Sequence, residues 1–198
     1  MEKIAQLISL LFNPFILSLA LILLALLRSG FSERERLVFA IYAVLVHGLL
    51  PAWLIHRWIK KGRPIDDVLG NKDLLKNRSF VLAWAVVVFF SELLFLCLLN
   101  KPEPLFSVTL TQLLLVGALF LINQCYKISL HMSWATLFVL FLLDLDGLWF
   151  WPCLVILPLV FWSRLYLHRH TPKQLWAGFL VGLLIGGVFW YPVFLLTQ

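Results

Sequence analysis

Charge is what this chain has least of. Lysine, arginine, aspartate and glutamate make up 13% of its 198 residues, about half the share found in soluble domains, and 62% of the residues are hydrophobic. So few charges exclude an ordinary water-facing surface, and the chain is read as an integral membrane protein. Cysteine is scarce as well. Cys97, Cys125 and Cys153 lie in or beside apolar runs without metal-like spacing, so neither a disulfide frame nor a zinc site is implied. Internal repeats and low-complexity linkers are missing, which leaves one domain over residues 1–198. The formal charge of +6 would suggest nucleic acid in a soluble protein. Here the basic residues sit in short loops beside apolar runs, so membrane lipids, phosphate and topology are the expected causes and nucleic acid is not.

What is present in quantity is long apolar runs. Backbone polar groups in hydrocarbon must be satisfied internally, and runs of ~20 apolar residues achieve this as helices. Seven are expected, over about 4–27, 37–58, 79–99, 104–124, 129–145, 148–166 and 173–196, giving an all-α integral membrane helix bundle. The first run is too long for a signal-peptide core and no small-residue cleavage pattern follows it, so it is expected to stay as a membrane helix, kinked at Asn13-Pro14. Pro51 predicts a bend in the second. Gly178, Gly182 and Gly186 recur every fourth residue in the seventh, a stripe that admits a neighbouring helix, within the chain or between subunits. Seven crossings put the amino terminus and the loops at 59–78, 125–131 and 163–173 on one face. That face carries most of the Lys and Arg, so it is expected in the cytoplasm of a cell's inner membrane, although an anion site there would attract the same residues.

Two polar stretches interrupt this pattern, Lys127–His131 (KISLH) and Ser163–Gln174 (SRLYLHRHTPKQ), each where an apolar run meets a polar edge. Thr171-Pro172-Lys173-Gln174 predicts a helix start, with a capping threonine, proline at the first helical position and glutamine three residues after the cap. His170 stands just before it, and the amides of such an end attract an anion. Ser129 is a plausible cap for the fifth helix, with His131 in its first turn and Lys127 just outside. The fifth and sixth helices form a hairpin whose open ends share a face, so the two histidines can approach. One could attack phosphorus while the other protonates the leaving oxygen.

Ser163-Arg164, five residues, then His170 resembles the third signature of the type 2 phosphatidic acid phosphatase family, SR-x5-H-x3-D. Ile128-Ser129-Leu130-His131 resembles a degenerate form of its second signature, PSGH. The resemblance covers residues 125–190 and implies a phosphatase-like core in the C-terminal half. It implies His170 as the nucleophile that forms a phosphohistidine, His131 as the general acid, and Arg164, Ser129 and Lys127 as phosphate ligands, with no metal or cofactor. The family's final aspartate falls on Gln174, whose oxygen can still accept from an imidazole nitrogen but brings no charge. The first signature, K-x6-R-P, has two imperfect counterparts. Arg63-Pro64 has His56 at the lysine position, and Lys72 with Arg78 is one residue short. Lys72 and Arg78 are favoured because they lie at the mouth of the third helix.

Other polar residues have quieter readings. His47 and Glu92 are ionisable groups inside apolar runs, which marks function or a buried partner, and one can solvate the other. Asp144 and Asp146 suit a tight turn. The expected function is therefore hydrolysis of a lipid or isoprenoid phosphate. An impaired homologue acting as a lipid-binding or scaffolding subunit with membrane-complex partners is the alternative. A pigment or haem subunit using His47 or His131 as axial ligand is a third reading.

Overall fold

Every regular element of the computed structural model, which describes residues 1–61, 72–98 and 104–187, is helical. In chain order these are α1 (Glu2–Leu11), α2 (Pro14–Leu27), α3 (Glu33–Ala43), α4 (Leu50–Lys60), α5 (Lys72–Leu98), α6 (Leu105–Asn123), α7 (Leu130–Asp146), α8 (Ile156–Tyr166) and α9 (Pro172–Ile185). A π-helical segment, Val44–Leu49, joins α3 to α4, and a 3-10 segment, Gly147–Val155, leads from α7 into α8. Three helical stretches are long and apolar enough to cross a bilayer: Glu33–Arg57, Asn77–Leu98 and Leu105–Asn123. The bent pair α1–α2 makes a fourth if it is one span. The apolar helices over Leu130–Asp144, Trp151–Tyr166 and Pro172–Ile185 are shorter than the ~20 residues that a straight crossing needs. The described residues are thus all helical, with three or four helices able to span a membrane.

Proline divides three of the apolar runs. At Asn13-Pro14 the chain stops one helix and starts another at an angle of 40°. The Asn13 side chain accepts from Phe15 N at 3.0 Å, and Pro14 takes the first helical position, where its missing N–H costs nothing. In the second run, Pro51 has no N–H and its ring crowds the carbonyl four residues back, that of His47. The helix widens there into the π segment. Pro152 lies inside the 3-10 segment, so the sixth run becomes α-helical only from Ile156.

Polar bonds inside the apolar body fix which helices neighbour which. Ser18 Oγ donates to Gln112 Oε1 at 2.6 Å, tying α2 to α6. Asn123 Nδ2 donates to Leu75 O and Ser79 Oγ, both at 3.0 Å, tying α6 to α5. His47 Nε2 lies 2.9 Å from Glu92 Oε2, both side chains almost fully out of solvent. The pair expected from the sequence is thus formed, with the His47 ring 5.0 Å from that of Phe89. The glycine stripe of α9 packs on α7 of the same chain. A Cβ at Gly178 would fall 2.6 Å from Ser129 O, and one at Gly182 would fall 2.5 Å from Ser133 O, so only glycine lets these backbones meet.

Removing one partner of a buried, bonded pair strands the other, a loss of about 3 kcal/mol. Glu92→Ala should lower thermal stability in detergent by that order, and His47→Leu combined with Glu92→Leu should recover most of it. An unchanged melting temperature in Glu92→Ala would show that the pair holds nothing together.

Candidate functional site

The end of α8 aims the chain at the site. Leu167 N donates to Ser163 O, His168 N to Leu165 O at 2.9 Å, and Arg169 N reaches back to Arg164 O at 3.0 Å. This nested pairing is a Schellman closure, which turns on a residue in the left-handed region. His168 fills that position with φ 52°, where glycine is usual. Three residues later Thr171 starts α9. Its hydroxyl accepts from Gln174 N, and the Gln174 side chain accepts from Thr171 N. The residues between Arg164 and His170 are therefore a helix stop set against a helix start, which is what that sequence spacing encodes.

Gln174 also holds His170. Its Oε1 lies 3.1 Å from His170 Nδ1 and 3.1 Å from Thr171 N. A backbone amide can only donate, so the shared atom is the amide oxygen and Nδ1 carries a hydrogen. In the neutral ring, Nε2 then keeps its lone pair. The capping and imidazole-holding roles expected separately for Gln174 are met by one oxygen.

The start of α7 hangs on the same turn. Ser129 N donates to Gln174 O at 3.3 Å, and Ser129 Oγ accepts from Met132 N at 3.4 Å as the cap of α7. His131, one residue into α7, places Nε2 3.2 Å from Ser9 O. Arg78 comes from α5 and donates through Nη2 to Ile128 O at 2.7 Å. Lys127 Nζ donates to Arg169 O at 3.1 Å. Across the other side lies α1, packed on α8. Ala5 O accepts from Ser163 Oγ at 2.9 Å, and Ser9 Oγ accepts from Arg164 Nη1 at 2.6 Å.

These elements enclose a cavity of about 500 Å³, walled by Arg78, His131, Arg164 and His170. Arg169, Gln6, Ser9 and Asn13 complete its polar lining, and no carboxylate is among the described lining residues. Arg78 is 3% exposed and Arg164 2%. Two guanidinium groups withdrawn from water thus line one cavity, and their planar forks of donors suit an anion with several oxygens. No protein-family model, curated protein or solved structure matches this chain. The chemistry is read from the cavity itself. Among the described residues, no three His, Cys, Asp or Glu side chains gather as metal ligands would.

Of the residues singled out in the sequence, Arg78, His131, Arg164 and His170 share this wall. Lys127 and Ser129 are buried behind it, bonded to the loop and to the start of α7. Lys72 opens α5, but its side chain lies outside the described residues, as do Arg63 and Pro64, and His56 is exposed. Sequence reasoning missed Ser9, Gln6, Asn13 and Arg169. Arg169 stood beside His170 in the motif and had a signal. Ser9 had none, because its place depends on α1 folding across α8.

Relieving the left-handed strain at His168 should stabilise the turn. His168→Gly is expected to raise stability by about 0.5–1 kcal/mol, read as a higher melting temperature in detergent. A lower one would mean that the imidazole contributes contacts of its own.

Proposed function

We propose that the protein is a membrane phosphatase that hydrolyses a lipid or isoprenoid phosphate through a phosphohistidine. In this reading the seven apolar runs make seven crossings around a core like that of the type 2 phosphatidic acid phosphatases. The observation that carries it is the single cavity walled by two buried arginines and two histidines, with no carboxylate among its described lining residues. Arg78 and Arg164 bind phosphoryl oxygens. His170 Nε2, which carries the ring's lone pair because Nδ1 holds the hydrogen that Gln174 accepts, attacks phosphorus. The N–P bond forms as the P–O bond to the lipid alcohol breaks, and His131 gives the departing oxygen its proton. Water then loses a proton to His131 and attacks phosphorus. The N–P bond breaks, and inorganic phosphate leaves. Charge on the equatorial oxygens is met by fixed guanidinium groups, the largest contribution expected in phosphoryl transfer. Leu10, Phe15, Ile55 and Leu130, also on the lining, suit a substrate that arrives sideways from the bilayer. The loop charge bias supports a cytoplasmic position for the site.

Lys127 and Ser129 act in this scheme by holding the loop and the start of α7 that present the phosphate-binding wall. One observation favours the second reading, a non-catalytic lipid-binding or scaffolding subunit. The group on His170 Nδ1 is a neutral amide, which orients the ring without stabilising its charged form.

His170→Ala should abolish phosphate release from lipid phosphates and the acid-labile phosphohistidine with it, while the melting temperature stays within a few degrees. Full activity in that variant removes the proposed nucleophile. Gln174→Asp supplies the missing charge and should raise the rate of phosphoenzyme formation about tenfold or more, measured by rapid quench. If neither the wild type nor Gln174→Asp forms a phosphoenzyme from any lipid phosphate, the scaffolding reading stands.

A further inference from the structure

Ser9 meets the site twice. Its hydroxyl oxygen accepts from Arg164 Nη1 at 2.6 Å, and its carbonyl oxygen lies 3.2 Å from His131 Nε2, which must be the donor because a carbonyl has no hydrogen to give. Two oxygens of one residue thus engage the guanidinium and the imidazole that phosphoryl transfer would present to phosphate. The carbonyl is available for a local reason. In a continued helix, Ser9 O would receive the N–H of Asn13, but Asn13 N turns back to Leu10 O at 3.1 Å where α1 ends. Ser9 therefore belongs to the carbonyl-bearing end of α1, the negative pole of its dipole, and that pole is set against a cavity lined with cations.

The helix that delivers this pole is a separate element from α2. It breaks from α2 by 40° at Asn13-Pro14 and packs on α8. Its outer face carries exposed Ile4, Leu7 and Leu11, which suit the bilayer interface wherever along it the helix lies.

We propose that α1 is a built-in stand-in for the phosphoryl group. Its last turn occupies the anion site through Ser9, and a phosphoryl ligand binds by displacing it about the Asn13-Pro14 break. This rests on the reading of the cavity as a phosphate site. A phosphoryl group with a full negative charge and three oxygens outcompetes the roughly half charge of a helix end. Displacement also frees the His131 proton for the leaving oxygen, so binding and readiness for catalysis coincide. Until then His131 Nε2 and Arg164 Nη1 each have an acceptor in Ser9, which lowers the cost of holding them away from water.

The test is binding of inorganic phosphate and of hexadecylphosphonate to detergent-solubilised wild type and Ser9→Ala, by calorimetry. The Ser163 to Ala5 bond keeps α1 docked in the variant. Removing the competing hydroxyl should tighten binding about five- to tenfold. Tightening for hexadecylphosphonate alone assigns the site to lipid-borne phosphoryl groups, and tightening for both assigns it to phosphoryl groups generally. A second measurement uses spin labels on Lys3→Cys and Tyr166→Cys, with Cys97, Cys125 and Cys153 replaced by alanine. The inter-label distance should lengthen when hexadecylphosphonate binds. Equal or weaker binding by Ser9→Ala, or an unchanged distance with the ligand bound, overturns the displacement and leaves the phosphate site intact. No binding of either compound by either protein overturns both.

Discussion

The contact on which the rest of the site depends is the one between α9 and α7. With no Cβ at Gly178 and Gly182, the two backbones lie close enough that the start of one helix bonds the first turn of the other, Ser129 N to Gln174 O. Two helix mouths far apart in sequence become one surface, and the histidines that follow from them, His131 and His170, face a common void. A larger residue at Gly178 or Gly182 would have to push α7 away, because the obstacle is backbone carbonyl and cannot rotate aside. The stripe therefore sets the spacing of the two helix mouths as well as their packing.

The electrostatics follow from which helix ends meet. Arg164 sits in the last turn of α8, where the dipole favours a cation, and its side chain then enters the cavity. Arg78 is held by a carbonyl of the loop before α7. The described lining holds no carboxylate, and the end of α1 brings Ser9 Oγ to Arg164 Nη1.

Much of this was legible in the sequence, and for a physical reason. Caps and closures are local, so Thr171-Pro172-Lys173-Gln174 announced the start of α9, Ser129 the start of α7, and the spacing of Arg164 and His170 the turn between them. The glycine stripe announced a close neighbour, and Pro51 an irregularity that proved to be the π segment. What was not legible is non-local or masked by uniform hydrophobicity. Arg164 to Ser9 spans 155 positions, and no periodicity within either stretch encodes it. The apolar run through Phe12, Asn13 and Pro14 has the composition of one helix, so the break that makes α1 a separate element registered only as a kink. Gln174 was half legible. The capping pattern predicted its backbone partner, but its simultaneous hold on His170 needed the turn at His168, a residue with no glycine-like signature.

The pairing of His47 with Glu92 reaches beyond the site. Each residue lies within a stretch long and apolar enough to pass through hydrocarbon, where an ionisable group is tolerated when another answers it. Alone, either segment would carry an unanswered ionisable group into lipid. The helix holding residue 47 and the helix holding residue 92 therefore gain from being inserted as a couple, and the order in which this bundle assembles is constrained by one hydrogen bond in its interior.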